Sequence, residues 1–219
     1  MIEKKLTQIK SKSRISEHGE VFTADREVNA MLDMVKQETD RIDSRFLEPA
    51  CGTGNFLIEI LRRKLSAVEY QYKKSQADYE QYAVLAASSI YGIDLLEDNV
   101  EECRNRLFNH FNETYTNLYK GKCSEKCKAS VNFIFQRNII KGDALTLQSD
   151  NGPIVFSEWS VVNKNMIKRR DYTFQGLLQH ERVKAMPLFS DLGDDVFIPE
   201  PVKDFPLIHY LKLGEFNGD

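Results

Sequence analysis

Ser44-Arg45-Phe46-Leu47-Glu48-Pro49-Ala50-Cys51-Gly52-Thr53-Gly54-Asn55-Phe56-Leu57 is the stretch from which the fold can be read. Phe46 and Leu47 close a short apolar run, and Pro49 lacks the donor a sheet ladder needs, so a strand is expected to stop at Glu48. Gly52 and Gly54 allow a tight turn. From Asn55 onward Phe56, Leu57, Ile60, Leu61 and Leu65 recur at helical spacing, and Arg62, Arg63 and Lys64 put cations toward the helix end that favours them. A strand, a glycine turn and a helix bring a ligand against bare backbone and a helix N-terminus.

Outward from this unit, strands alternate with helices. His18-Gly19-Glu20-Val21-Phe22-Thr23-Ala24-Asp25 precedes Val28, Met31, Leu32 and Val35 at amphipathic spacing, with Asp25 expected as the cap. A helical stripe through Val68, Tyr72, Tyr79, Tyr82 and Ala86 predicts an inserted helix over 66–87, its tyrosines serving as packing residues. Ser89-Ile90-Tyr91-Gly92-Ile93-Asp94-Leu95 reads as a buried strand ending in an acid, followed by a long amphipathic helix from Val100 to Leu118. A loop over 121–130 is expected next. Phe133-Ile134-Phe135 with Asn138 to Leu145 then reads as a third strand, again ending in an acid at Asp143, and Ile154-Val155-Phe156 as a fourth.

These alternations predict an α/β fold, a mostly parallel sheet with helices on both faces. The expected organisation is an N-terminal arm over 1–17, a core over 18–165, and an irregular segment over 166–219 that completes the sheet or meets a partner. In that last segment Lys168, Arg169 and Arg170 form a basic cluster, read as a solvated face or a phosphate contact.

The chain has 219 residues, 42% of them hydrophobic and 29% charged, with a formal net charge of −3. That composition suits a globular core and disfavours coating of nucleic acid through overall charge. No run is apolar enough to span a bilayer, so no membrane partner and a cytoplasmic location are expected. Cys51, Cys103, Cys123 and Cys127 stand in unlike contexts. Cys123 and Cys127 are expected in a solvated loop, without a metal site.

Ligands of open parallel sheets bind beyond the carboxyl ends of the strands. Here that edge carries Glu48, Asp94 and Asp143 beside Gly52 and Gly54. Carboxylates accept from amino groups and vicinal hydroxyls but repel a pyrophosphate. Leu57 stands where a dinucleotide fingerprint wants its third glycine, and no Gly-Lys-Ser/Thr is present, so NAD and P-loop readings are disfavoured.

Leu47 to Phe56 resembles the cofactor loop of the S-adenosylmethionine-dependent DNA amino-methyltransferases, especially the adenine-N6 type of bacterial restriction-modification systems. His18 to Thr23 is similar to the family's upstream element, with Ala24 in place of the usual proline. Tyr91 to Asp94 resembles its ribose-binding strand, and Lys141 to Leu145 its adenine-contacting strand. The four matches occur in family order. The resemblance implies a Rossmann-like methyltransferase fold with S-adenosylmethionine as cofactor. It also implies a cofactor site at Phe22, Thr23, Glu48, Pro49, Gly52, Gly54, Asn55, Phe56, Asp94, Leu95, Asp143 and Ala144.

The family's catalytic loop, a polar residue, two prolines and an aromatic after the fourth strand, has no Pro-Pro counterpart in this sequence. Ser157, Glu158 and Trp159 are the expected substitutes, offering a polar group and a ring. The stretch beyond is short for a target-recognition domain, which leaves the reading of DNA to few contacts or to a larger restriction-modification subunit. Three functions stay open: a methyltransferase with a divergent loop, an inactive methyltransferase-like subunit in a phage-defence assembly, and a nucleotide-binding protein.

Overall fold

The computed structural model describes residues 23–163, 165–185 and 199–215. Strand β1 is Phe46–Glu48, and it pairs in parallel with β2, Ile90–Asp94, in the register Phe46 to Ile90 and Glu48 to Gly92. Strand β3, Ile139–Lys141, pairs in parallel with the other edge of β2 and places Lys141 opposite Asp94. The order β1-β2-β3 makes the central strand the most buried, with Ile90 and Ile93 fully enclosed.

Helices α1, Asp25–Asp33, and α2, Lys36–Thr39, precede the sheet. Ala24 occupies the cap position of α1 with no side-chain bond, and Asp25 is the first helical residue, where its charge still suits the dipole. Helix α3, Asn55–Tyr72, buries Leu57, Ile60, Leu61, Lys64, Leu65 and Val68, one stripe over five turns. The helix expected over 66–87 is two helices. The chain breaks after Tyr72, and Ser75 caps α4, Gln76–Ser88, by accepting from the Asp78 N–H.

Helix α5, Glu97–Tyr119, follows β2, and α6, Glu125–Asn138, returns to β3. The loop expected over 121–130 shrinks to a 3-10 turn at Lys120–Lys122 and the two residues after it, and its remainder gives way to α6, as does the strand expected at Phe133-Ile134-Phe135. Cys127, Ser130, Val131, Ile134, Phe135 and Asn138 bury one helical face, and Ser124 caps it. Three consecutive apolar residues mimic a buried strand, but the wider spacing is helical. Cys127 is therefore buried rather than solvated.

Two short strands, β4 (Gln148–Ser149) and β5 (Gly152–Pro153), form a hairpin after β3. Ile154-Val155-Phe156 does not supply a fourth parallel strand. It opens β6, Val155–Val162, which pairs antiparallel with β7, Met166–Thr173, in a separate sheet. Helix α7, Phe174–Ala185, follows, and β8 (Lys203–Asp204) and β9 (Ile208–His209) pair with β7. The segment from 166, expected to be irregular, thus begins as a strand in register from Met166 opposite Val162. A 3-10 turn over Tyr210–Glu215 packs on α6, where a Cβ at Gly214 would lie 2.7 Å from Ala129.

Two buried residues join the sheets. Tyr91 of β2 donates its hydroxyl to the Ser157 carbonyl at 2.9 Å. Asn138 donates to the carbonyls of Ser88 and Ile90 and accepts the Trp159 indole N–H at 2.9 Å. Among the described residues no helix is long and apolar enough to cross a membrane.

Candidate cofactor site at the carboxyl edge of the parallel sheet

A cleft of about 490 Å³ opens where β1, β2 and β3 end. Its floor is the turn after β1. The Cys51 N–H bonds the Ile93 carbonyl at 2.8 Å, extending the parallel pairing one step beyond the strand. Gly52 then turns with φ +52 and Gly54 with φ +89, both left-handed. A Cβ on Gly54 would lie 2.6 Å from the Cys103 Sγ, so position 54 is closed to a side chain by packing as well as by backbone. The neighbouring Cys103 thiol and burial push the Cys51 thiol far above its ordinary range, which leaves it an inert packing group.

Asp94 holds this turn. Its Oδ2 accepts the Gly52 N–H at 2.9 Å, and its Oδ1 accepts the Leu96 N–H at 2.9 Å and the Asn99 amide at 3.2 Å. A carboxylate has about four acceptor sites, and among the described residues three are taken, which leaves one on Oδ2 for a ligand. The residue expected to accept from both ribose hydroxyls is therefore first a clamp between β2 and the glycine turn.

Glu48 lines the same cleft, and burial raises its pKa against the opposing Ala50 backbone bond. Across the cleft, the Leu145 N–H bonds Asp143 at 2.8 Å, and this bond holds the Asp143 carboxyl below its usual range. Asp143 also closes its own turn, exchanging backbone bonds with Gln148. Leu95 and Leu145 line the cleft, and they are 55% and 94% exposed, an uncovered apolar pair at a polar edge.

Of the expected cofactor residues, Thr23, Glu48, Pro49, Gly52, Asn55, Phe56, Asp94, Leu95, Asp143 and Ala144 all line this cleft. Gly54 lies beneath it as the left-handed cap of α3. Phe22 falls outside the described residues. The structure does not bring Ser157, Glu158 and Trp159 to the cleft. They sit within β6, where strand alternation turns Ser157 and Trp159 inward and Glu158 outward. Ser157 donates to Asp171 at 2.7 Å and accepts from Arg169 at 3.0 Å, Glu158 pairs with Arg45 at 2.6 Å, and Trp159 is held by Asn138. The nearby basic cluster is likewise occupied: Lys168 and Arg170 pair with Asp204, and Arg169 is buried on Asp171 and the Phe205 ring.

The sequence reading missed Arg106. From α5 its Nη1 donates to the Thr53 carbonyl at 2.6 Å, the Thr53 hydroxyl at 2.9 Å and the Asn55 Oδ1 at 2.9 Å. Asn55 in turn donates to the Thr23 carbonyl at 3.0 Å, so one guanidinium orders both the glycine turn and the segment upstream of it. Its only signal in sequence is an arginine one turn after Cys103 on the same helix. Replacing Arg106 by alanine is expected to weaken ligand binding in the cleft about tenfold, since hydrogen bonds to a charged group are worth roughly 1.5–3 kcal/mol. Isothermal titration beside a melting curve measures this, and an unchanged affinity would remove Arg106 from the site.

Compared with known proteins, the chain matches the family model described as MmeI, DNA-methyltransferase domain, over residues 22–155. No curated protein and no solved structure matches it. The matched span contains β1, β2, β3 and every described residue of the cleft, and it is well over half of the chain. This chain therefore belongs to the MmeI DNA-methyltransferase domain family.

Proposed function

We propose that the chain binds S-adenosylmethionine in the cleft and serves a restriction-modification DNA methyltransferase of the adenine-N6 type. One observation carries this reading: an acidic, glycine-turned edge and an uncovered apolar pair face the same cleft. The residues fit the group. Glu48 suits an amino group, the free acceptor site of Asp94 suits a ribose hydroxyl, and Leu95 and Leu145 suit the faces of an adenine. A pyrophosphate is a poorer fit, because Glu48, Asp94 and Asp143 would repel it. Leu57 argues the same way. It is fully buried, and a Cβ on Gly92 would lie 2.9 Å from it, so it fills core space rather than a phosphate site.

When bound, the cofactor supplies an electrophilic methyl group. The chain's own residues bind and orient it: the glycine turn offers bare backbone, Asp94 and Arg106 keep that turn in place, and Asp143 shapes the far wall. On this reading the sheet is Rossmann-like, and Ser157, Glu158 and Trp159 are structural.

A second reading, a methyltransferase-like module that binds cofactor while another chain supplies the base-gathering loop, is favoured by the place of those three residues. Transfer of a labelled methyl group to mixed-sequence DNA, followed by digestion to nucleosides, separates the readings. N6-methyladenine is the expected product for the first, and cofactor binding without transfer supports the second. Trp159→Phe tests the structural role of that ring. It orphans the buried Asn138 Oδ1 and is expected to cost roughly 1–3 kcal/mol of stability while cofactor affinity stays unchanged. Loss of methyl transfer at unaltered stability would return Trp159 to the catalytic machinery.

A further inference from the structure

Helices α3 and α5 both start at the cleft and run well past the short strands they cover, 18 and 23 residues against strands of three to five. At about 1.5 Å per residue they carry the chain roughly 27 and 35 Å from the cleft before α4 and α6 return to the sheet. The two turnarounds meet. The Tyr119 hydroxyl donates to the Lys73 carbonyl at 3.1 Å, and the Gln76 amide donates to the Lys122 carbonyl at 2.7 Å.

This junction gathers Lys73, Lys74, Lys120 and Lys122, all exposed. Among the described residues none of the four makes an ion pair, whereas Lys36, Lys126, Lys128, Lys141 and Lys168 each do. The nearest acids in sequence are Glu69, Asp78 and Glu125, and Glu125 is engaged by Lys128 at 2.8 Å.

We infer that this tip is a phosphate-binding surface for duplex DNA, set about one helical turn of DNA away from the cleft. The inference rests on the DNA-methyltransferase reading. Four exposed lysines gathered at one junction, with Glu69 and Asp78 the acids beside Lys73 and Lys74, suit a phosphate backbone, which asks for charge and position rather than base contacts.

The test is fluorescence anisotropy with a labelled mixed-sequence duplex of several helical turns, over a salt series, with the unaltered chain and a K73Q/K74Q/K120Q/K122Q variant. The expected result is a loss of about tenfold or more in affinity at low salt, and a salt slope flatter by about 0.9 for each phosphate no longer neutralised. Affinity for S-adenosylmethionine should not change. A charge-reversed K73E/K74E pair should weaken binding further. If the unaltered chain binds duplex and the glutamine variant binds it equally well with the same slope, the tip is overturned while the DNA reading stands. If the unaltered chain binds no duplex at any salt concentration, the tip falls, and with it the reading in which this chain engages DNA by itself.

Discussion

Replacing Lys64 by methionine is expected to lower the unfolding free energy by roughly 3–5 kcal/mol, a large share of the stability of a domain this size. Lys64 is completely buried, and its Nζ donates to the carbonyls of Arg41, Ile42 and Ser44 at 2.9, 3.0 and 2.6 Å, with the Phe46 ring 5.3 Å away. These carbonyls belong to the turn that delivers the chain into β1. Methionine fills the space but leaves three buried acceptors without donors. Urea unfolding measures the loss, and a midpoint within error of the unaltered chain would show that water reaches those carbonyls.

The same residue gives stability a pH dependence of definite sign. Burial pushes the Lys64 ammonium down to about 7, while the three carbonyls favour the charged form by using three N–H donors. The folded value lies below the unfolded value near 10.5, so between them the unfolded chain binds more protons. The cost of burying the charge is present in full below pH 7 and shrinks as pH rises toward 10.5. The stability difference between the unaltered chain and Lys64→Met should therefore widen with pH across that window. A difference that narrows would mean the folded value is not depressed.

Asp94→Ala is expected to weaken S-adenosylmethionine binding about a hundredfold. Loss of one charge-assisted bond to the ligand accounts for roughly 1.5–3 kcal/mol, a factor of ten or somewhat more. The remainder comes from the protein side. Without the carboxylate the N–H groups of Gly52 and Leu96 and the Asn99 amide lose their acceptor, and the glycine turn is no longer tied to β2. Asp94→Asn separates the two contributions, because it keeps one acceptor oxygen and loses the charge. Calorimetric titration should rank the affinities as Asp above Asn above Ala. Equal affinities for all three would refute the assignment.

The strand, turn and helix around Glu48-Pro49-Ala50-Cys51-Gly52-Thr53-Gly54 were legible because each local signal agrees: a proline that ends pairing, glycines at left-handed angles, and an apolar stripe from Phe56. The acids at the strand ends were legible for the same reason, and ten of the twelve expected cofactor residues line one cleft. Lys64 was not. Directly after Arg62 and Arg63 it reads as a cation near a helix end, and only the carbonyls of a turn some twenty residues earlier explain its burial. The strand setting of Ser157-Glu158-Trp159 was not legible for a different reason. Three polar and aromatic residues after an apolar run fit a catalytic loop as well as a strand. The deciding partners are Asp171, Arg45 and Asn138, and no local pattern points to them. Phe133-Ile134-Phe135 misled because a three-residue apolar run has no period of its own.

The most direct test of the central claim is calorimetric titration of the purified chain with S-adenosylmethionine, with NAD as the comparison ligand and the Asp94→Ala chain as the control. The expected result is saturable binding of S-adenosylmethionine at one site, much weaker binding of NAD, and loss of the S-adenosylmethionine signal in the variant. Tighter binding of NAD, or no S-adenosylmethionine binding by a folded chain, would contradict a methyl-donor site in the cleft.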